Sequence, residues 1–181
     1  MQELNKHEMY LEGTYLMNEF CDTNKIKRPE IYLGRKHEWA YPKTCAYYRK
    51  DQINICVPLC AQQGNTNRAW SYPGYIVDRT PYGVIQHELG HHYDYHRGNK
   101  SRLYFSDFSK KMMDETGEKP ITSYAPNHAE WFAEIFRLFV TNPDLLKRIR
   151  PKSYHYLIED GLKPIIQLTW VDVLIKNEAG D

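Results

Sequence analysis

Between residues 3 and 20, apolar side chains recur at helical spacing (Leu4, Leu11, Tyr15, Leu16, Phe20). This predicts an amphipathic helix, ended by Asp22-Thr23-Asn24. The period then shortens. Glu30–Gly34 reads as a strand, and Cys45–Arg49 with Gln52–Leu59 reads as a hairpin around Lys50-Asp51, rich in β-branched and aromatic residues. Residues 61–74 hold the Gly, Asn and Pro of a loop. Helical spacing returns over 81–97, with Thr80 as N-cap, Pro81 at the first helical position and Gly98 as the stop. Further helices are predicted over 101–115, over 127–141, from Asn142-Pro143 and near 152–160. The apolar side of the 127–141 helix is Trp131, Phe132, Ile135, Phe136, Phe139 and Val140. A loop with two prolines spans 118–126, and 164–176 fits helix or strand equally well. The order of helix, small sheet and helices predicts an α+β fold in one domain over 1–181. Its helix-and-sheet part covers about 1–80 and packs on the 81–97 helix; its helical part covers about 81–181.

The 81–97 helix carries the chemistry. In His87-Glu88-Leu89-Gly90-His91 the two histidines are four residues apart, on one face and roughly 40° apart around the axis. Both imidazoles can grip one metal ion from the same side. Glu88 is then held beside the ion's open position, where it can take a proton from water. H-E-x-x-H on a helix is the zinc hydrolase signature; the bland alternative is an amphipathic helix with histidines on its polar side.

The third ligand decides between them. A third His six residues after the second would make a metzincin, but Arg97 stands there and His96 is off by one. Asp94 lies about 10.5 Å along the helix from His87, out of reach of one tetrahedral site. The ligand should come from another segment. Glu130 and Glu134 share a helix face at a spacing of four, so that one can bind metal while the other bonds a ligating imidazole from behind. Asn127-x-x-Glu130 also reads as a capping box, in which Glu130 only closes the helix start. Beside His87 and His91 the ligand reading is preferred, because a catalytic zinc takes three protein ligands and keeps one position open.

With its Y-x(5)-E-W-F-A-E-x-F run from Tyr124 to Phe136, the chain resembles the gluzincin peptidases of the anthrax lethal factor catalytic-domain type, which include the clostridial Pro-Pro endopeptidases. The resemblance covers roughly residues 75–158, including a tail like Asn142-Pro143 and Pro151–Leu157. It implies a zincin-like single domain with a small N-terminal mixed sheet on the active-site helix. It also implies Zn2+ on His87, His91 and Glu130, Glu88 as general base, Glu134 behind a ligand histidine, most simply His87, and Tyr124 at the oxyanion. The chain departs in one place: Tyr124 lies six residues before Glu130, where the family usually has seven. In the family an edge strand of the sheet pairs with substrate, which would fall to strand 52–59 here.

The remaining features narrow the function classes. The formal net charge is +1. The basic clusters Lys25, Lys27, Arg28 and Lys147, Arg148, Arg150, Lys152 read as solvated faces, so no nucleic-acid partner is expected. No apolar run approaches a membrane span, and the charged start MQELNKHEMYLEG does not read as a secretory signal, which places the expectation in the cytoplasm (the host's, if the gene is viral). Cys21, Cys45, Cys56 and Cys60 are expected as reduced, mostly buried thiols. Trp70, Tyr72, Tyr75 and Tyr82 fit ordinary packing or the wall of a peptide cleft. The expected function is a zinc-dependent endopeptidase acting on a peptide or protein substrate as a monomer. The rivals are a catalytically silent zinc-containing binding protein, for example a viral factor acting on a host protein, and a nucleic-acid-associated zinc hydrolase.

Overall fold

A computed structural model describes residues 6–33, 44–56, 78, 80–98, 107–125 and 127–165. Among these the elements run α1 (Lys6–Thr23), β1 (Glu30–Leu33), β2 (Ala46–Arg49), β3 (Gln52–Ile55), α2 (Pro81–Arg97), α3 (Asp107–Thr116), α4 (His128–Thr141), α5 (Pro143–Ile149) and α6 (Pro151–Glu159). The fold is α+β, mostly helical, with a small three-stranded mixed sheet. The expected loop at 61–74, residues 101–106 of the expected 101–115 helix and nearly all of 164–176 lie outside the described residues.

Helix α2 is the central element, with α1, α4 and the β2–β3 hairpin packed around it. Its start follows the sequence: the Thr80 side chain accepts from Gly83 N (3.4 Å) and Pro81 fills the first turn. Gly83 is needed for room, because a Cβ there would fall 2.4 Å from the Asp78 carboxyl carbon. On one side the Nε2 of the buried Gln86 donates to the Gly13 carbonyl of α1 (2.9 Å) and ties the two helices together. On the other side Gly90 meets α4. A Cβ at Gly90 would lie 3.0 Å from both Ala133 Cα and Phe136 Cβ, so glycine lets the two helices approach closely. Around this contact Phe20, Ile85, Leu89, Phe132, Phe136 and Phe139 form a fully buried core, with Phe20 edge-on to Phe136 and Phe139. Tyr82 is buried in the same core, which gives it the packing role.

The hairpin turns at Lys50 (φ 48°) and Asp51 (φ 66°), the two positive φ values of a type I′ loop, and Arg49 pairs with Gln52 across it. The strand order is β1-β3-β2, with β1 parallel to β3 and β2 antiparallel to it. This corrects one expectation. Residues 52–55 form the central strand, their backbone groups paired on both sides, so they offer no free edge to a peptide; among the described strands the edges are β1 and β2. The remainder of 52–59 lies outside the described residues.

A second correction concerns the cysteines. Cys21 and Cys56 are free and buried as expected, with burial pushing the Cys21 thiol up to about 12. Cys45, however, is disulfide-bonded. Spacing along the chain does not reveal which sulfurs the fold brings together. The expectation of four reduced thiols is therefore corrected at Cys45. Among the described residues no helix is long and apolar enough to cross a membrane.

Candidate metal centre

Helix α2 presents His87 and His91 toward α4, and α4 presents Glu130 and Glu134 back. Asn127 caps α4 by accepting from Glu130 N (3.0 Å), as a capping box begins. The Glu130 carboxylate does something else: Oε2 lies 3.0 Å from His87 Nε2 and Oε1 lies 3.6 Å from His91 Nε2. One ligand atom from each of His87, His91 and Glu130 falls within 4.8 Å of the others. The two alternatives for Glu130 thus divide by atom, with its N–H in the cap and its carboxylate on the histidines.

Behind His87 stands Glu134. Its Oε1 accepts from His87 Nδ1 at 2.9 Å, and its Oε2 accepts from Thr122 Oγ1 at 3.2 Å. Arg137, one turn further along α4, reaches the same Oε1 at 2.8 Å and also donates to the Asp78 carbonyl. Glu134 is completely buried and Arg137 nearly so. Burial alone would raise the Glu134 pKa; Arg137 and the hydrogen bonds from His87 and Thr122 outweigh it and hold the carboxyl below its ordinary value. Glu130 is likewise held low against its burial, by His87 and His91.

This arrangement tests whether the residues fit a cation. Burial and Arg137 both work against a charged His87, yet the carboxylates of Glu130 and Glu134 push its pKa up to about 9. With Nδ1–H given to Glu134, a neutral ring would set its Nε2 lone pair against Glu130. The contact is favourable only with a cation between them, either a proton or a metal ion. Two imidazoles and a carboxylate, with an imidazole backed by a second carboxylate, are a donor set that fits Zn2+.

Glu88 is buried beside these groups, and burial raises its pKa, opposed by His87 and His91. Tyr124 stands on the loop before α4, its ring centroid 5.8 Å from that of His87. Burial first, then Glu130 and Glu88, push its hydroxyl up, so it stays protonated as a donor. The loop is pinned at its start and its middle. Glu118 accepts from Lys152 N (3.1 Å), Ser153 N (2.8 Å) and Ser153 Oγ (2.6 Å), capping α6, while Thr122 holds Glu134.

All six expected site residues therefore meet in one place. Asp94 and His96 do not join them: Asp94 accepts from Ser109 N (2.9 Å) at the start of α3, and His96 pairs with Asp51. Sequence reasoning missed Arg137, Thr122 and Asp78. The one available signal was an arginine set within the otherwise apolar run Ile135–Val140.

Compared with models of protein families, with curated proteins and with solved structures, the chain matches none.

Proposed function

We propose that this protein is a zinc-dependent endopeptidase of the gluzincin kind, with His87, His91 and Glu130 as ligands. The observation that carries the reading is the convergence of three ligand atoms within 4.8 Å, from H-E-x-x-H on one helix and a glutamate on another. Its further support is a carboxylate behind His87 and a buried glutamate beside the histidines. Zinc held there would supply a Lewis acid that acidifies water and polarises a peptide carbonyl.

The chain's own residues supply the rest. Glu88, its pKa raised by burial, takes the proton from the attacking water and passes it to the leaving amine. The Tyr124 hydroxyl donates to the carbonyl oxygen as negative charge gathers there. Glu134, fixed by Arg137 and Thr122, holds His87 in the tautomer that turns Nε2 toward the ligand position.

The test is zinc content and peptide-library cleavage by wild type and single variants. Glu88→Gln should keep zinc and lose cleavage by at least about a hundredfold. His91→Ala and Glu130→Ala should lose stoichiometric zinc. Tight zinc binding by Glu130→Ala would defeat the ligand assignment. Zinc binding with no cleavage by wild type would favour the silent binding protein.

A further inference from the structure

Helix α2 carries a second pair of histidines at a spacing of four, His92 and His96, turned roughly 100° around the axis from His91. They face the β2–β3 hairpin instead of α4, and the turn residue Asp51 meets them. Asp51 Oδ1 lies 3.7 Å from His92 Nδ1 and in hydrogen-bond contact with His96 Nε2. We propose that Asp51, His92 and His96 form a second metal site, which takes a divalent transition ion such as Zn2+ or Ni2+ and clamps the hairpin to the helix.

The geometry suits a metal. One ligand atom from each residue lies within 4.8 Å of the others. Ligand atoms about 2.1 Å from a tetrahedral ion stand about 3.4 Å apart, so the site closes with a shift of about an ångström or less per side chain. His96 and Asp51 are each about one-third exposed and free to make that shift, and water can complete the coordination.

His92 is prepared for the role. Its Nε2 lies 2.7 Å from the Lys27 carbonyl, which can only accept, so Nε2 carries the hydrogen. Nδ1 is then bare and aimed at Asp51. A ligand imidazole backed by a backbone carbonyl is the arrangement that fixes tautomer and ring direction at metal sites. The ring is fully buried and edge-on to Tyr48, at 5.4 Å and 76°. The Tyr48 hydroxyl lies 3.2 Å from both His92 Nδ1 and Asp51 Oδ1, but its single hydrogen can serve one of them at a time. A cation satisfies both.

Asp51 is held for the same purpose. Its Oδ2 pairs with the exposed Lys27 ammonium (2.9 Å), which leaves Oδ1 directed at the histidines. Two nitrogens and one carboxylate oxygen select borderline ions over Ca2+ or Mg2+, which prefer all-oxygen sites.

No residue is shared with the His87 centre, so the two readings stand or fall separately. Chelator-stripped full-length chain is titrated with Zn2+ by calorimetry and with Ni2+ by visible absorption, its fold checked by circular dichroism. Wild type should bind two zinc ions. His96→Ala and Asp51→Asn should each bind one, with the other step lost or weakened at least about tenfold; asparagine keeps the left-handed turn position comfortable. Glu130→Ala should retain the Asp51 site, and His96→Ala combined with Glu130→Ala should retain none. One ion, lost in His96→Ala but kept in Glu130→Ala, would uphold this site and remove the peptidase reading. An unchanged titration in both His96→Ala and Asp51→Asn overturns the proposal and leaves the cluster as a plain ion pair that docks the turn.

Discussion

A carboxylate as fully buried as that of Glu134 stays ionised only if cations and hydrogen-bond donors face it. Arg137 supplies the fixed charge, and one guanidinium serves both the Glu134 carboxylate and the Asp78 carbonyl. Arg137→Met removes that charge and should cost about 3–5 kcal/mol in denaturant unfolding. It should also weaken zinc binding about 10–100-fold, since His87 loses its anchored partner. Arg137→Lys keeps the charge but cannot span both acceptors, so it should fall between. A Met variant as stable as wild type would mean that Glu134 is neutral. At this scale the sequence was readable where spacing carries meaning. His87, Glu88 and His91 share a helix motif, and Glu130 with Glu134 repeats every four residues. It was silent where meaning depends on a neighbour from elsewhere: an arginine in an apolar run signals a buried charge but does not name the acceptors that await it.

Helices α2 and α4 bring the two halves of the site together, and Gly90 sets how close they come. Gly90→Ala gains about 1 kcal/mol of helix propensity but forces a Cβ against the α4 backbone, at a cost of about 1–3 kcal/mol. The expected net result is a loss of about 1 kcal/mol, with weaker zinc binding as α4 carries Glu130 and Glu134 back from the histidines. Denaturant midpoints and zinc titration check both; a stabilised variant with undiminished zinc binding would count against it. The boundaries of α2, α4, α5 and the hairpin turn followed from local chemistry: Thr80-Pro81, Asn127, Asn142-Pro143 and Lys50-Asp51 each act within a few residues. The strand order did not. The parallel pairing of Glu30–Leu33 with Gln52–Ile55 joins segments about twenty residues apart, and no local pattern records it. His92 and His96 stand four residues apart in the sequence, but that spacing alone did not mark them as a site, because the Asp51 they meet arrives from 45 residues before His96.

Across the whole molecule, pH acts through the charges the fold has buried. Asp78 accepts from Thr80 N (2.8 Å) and Thr80 Oγ1 (2.7 Å), yet burial pushes its carboxyl up to about 7 from 3.8, opposed by Arg137. A raised acid binds more protons folded than unfolded between those values. Its contribution is therefore complete below about 3.8 and is lost as pH rises through 7. Asp78→Asn removes that dependence. Relative to wild type it should gain stability between pH 5 and pH 8, by about 2–3 kcal/mol, because only the two units from 5 to about 7 fall inside that window; the gain is read from melting curves of both proteins at both pH values. A constant difference between them would refute the buried-acid assignment.

The burial of α2 among α1, α4 and the hairpin also has a consequence for time scale. Residues 87–90 are buried in the middle of α2, and His91 beside them is partly exposed. Their amides should exchange with deuterium only through global unfolding, among the slowest in the chain. An ion between α2 and α4 would exchange faster than those amides, because the His91 and Glu130 side chains that would hold it are partly exposed to solvent.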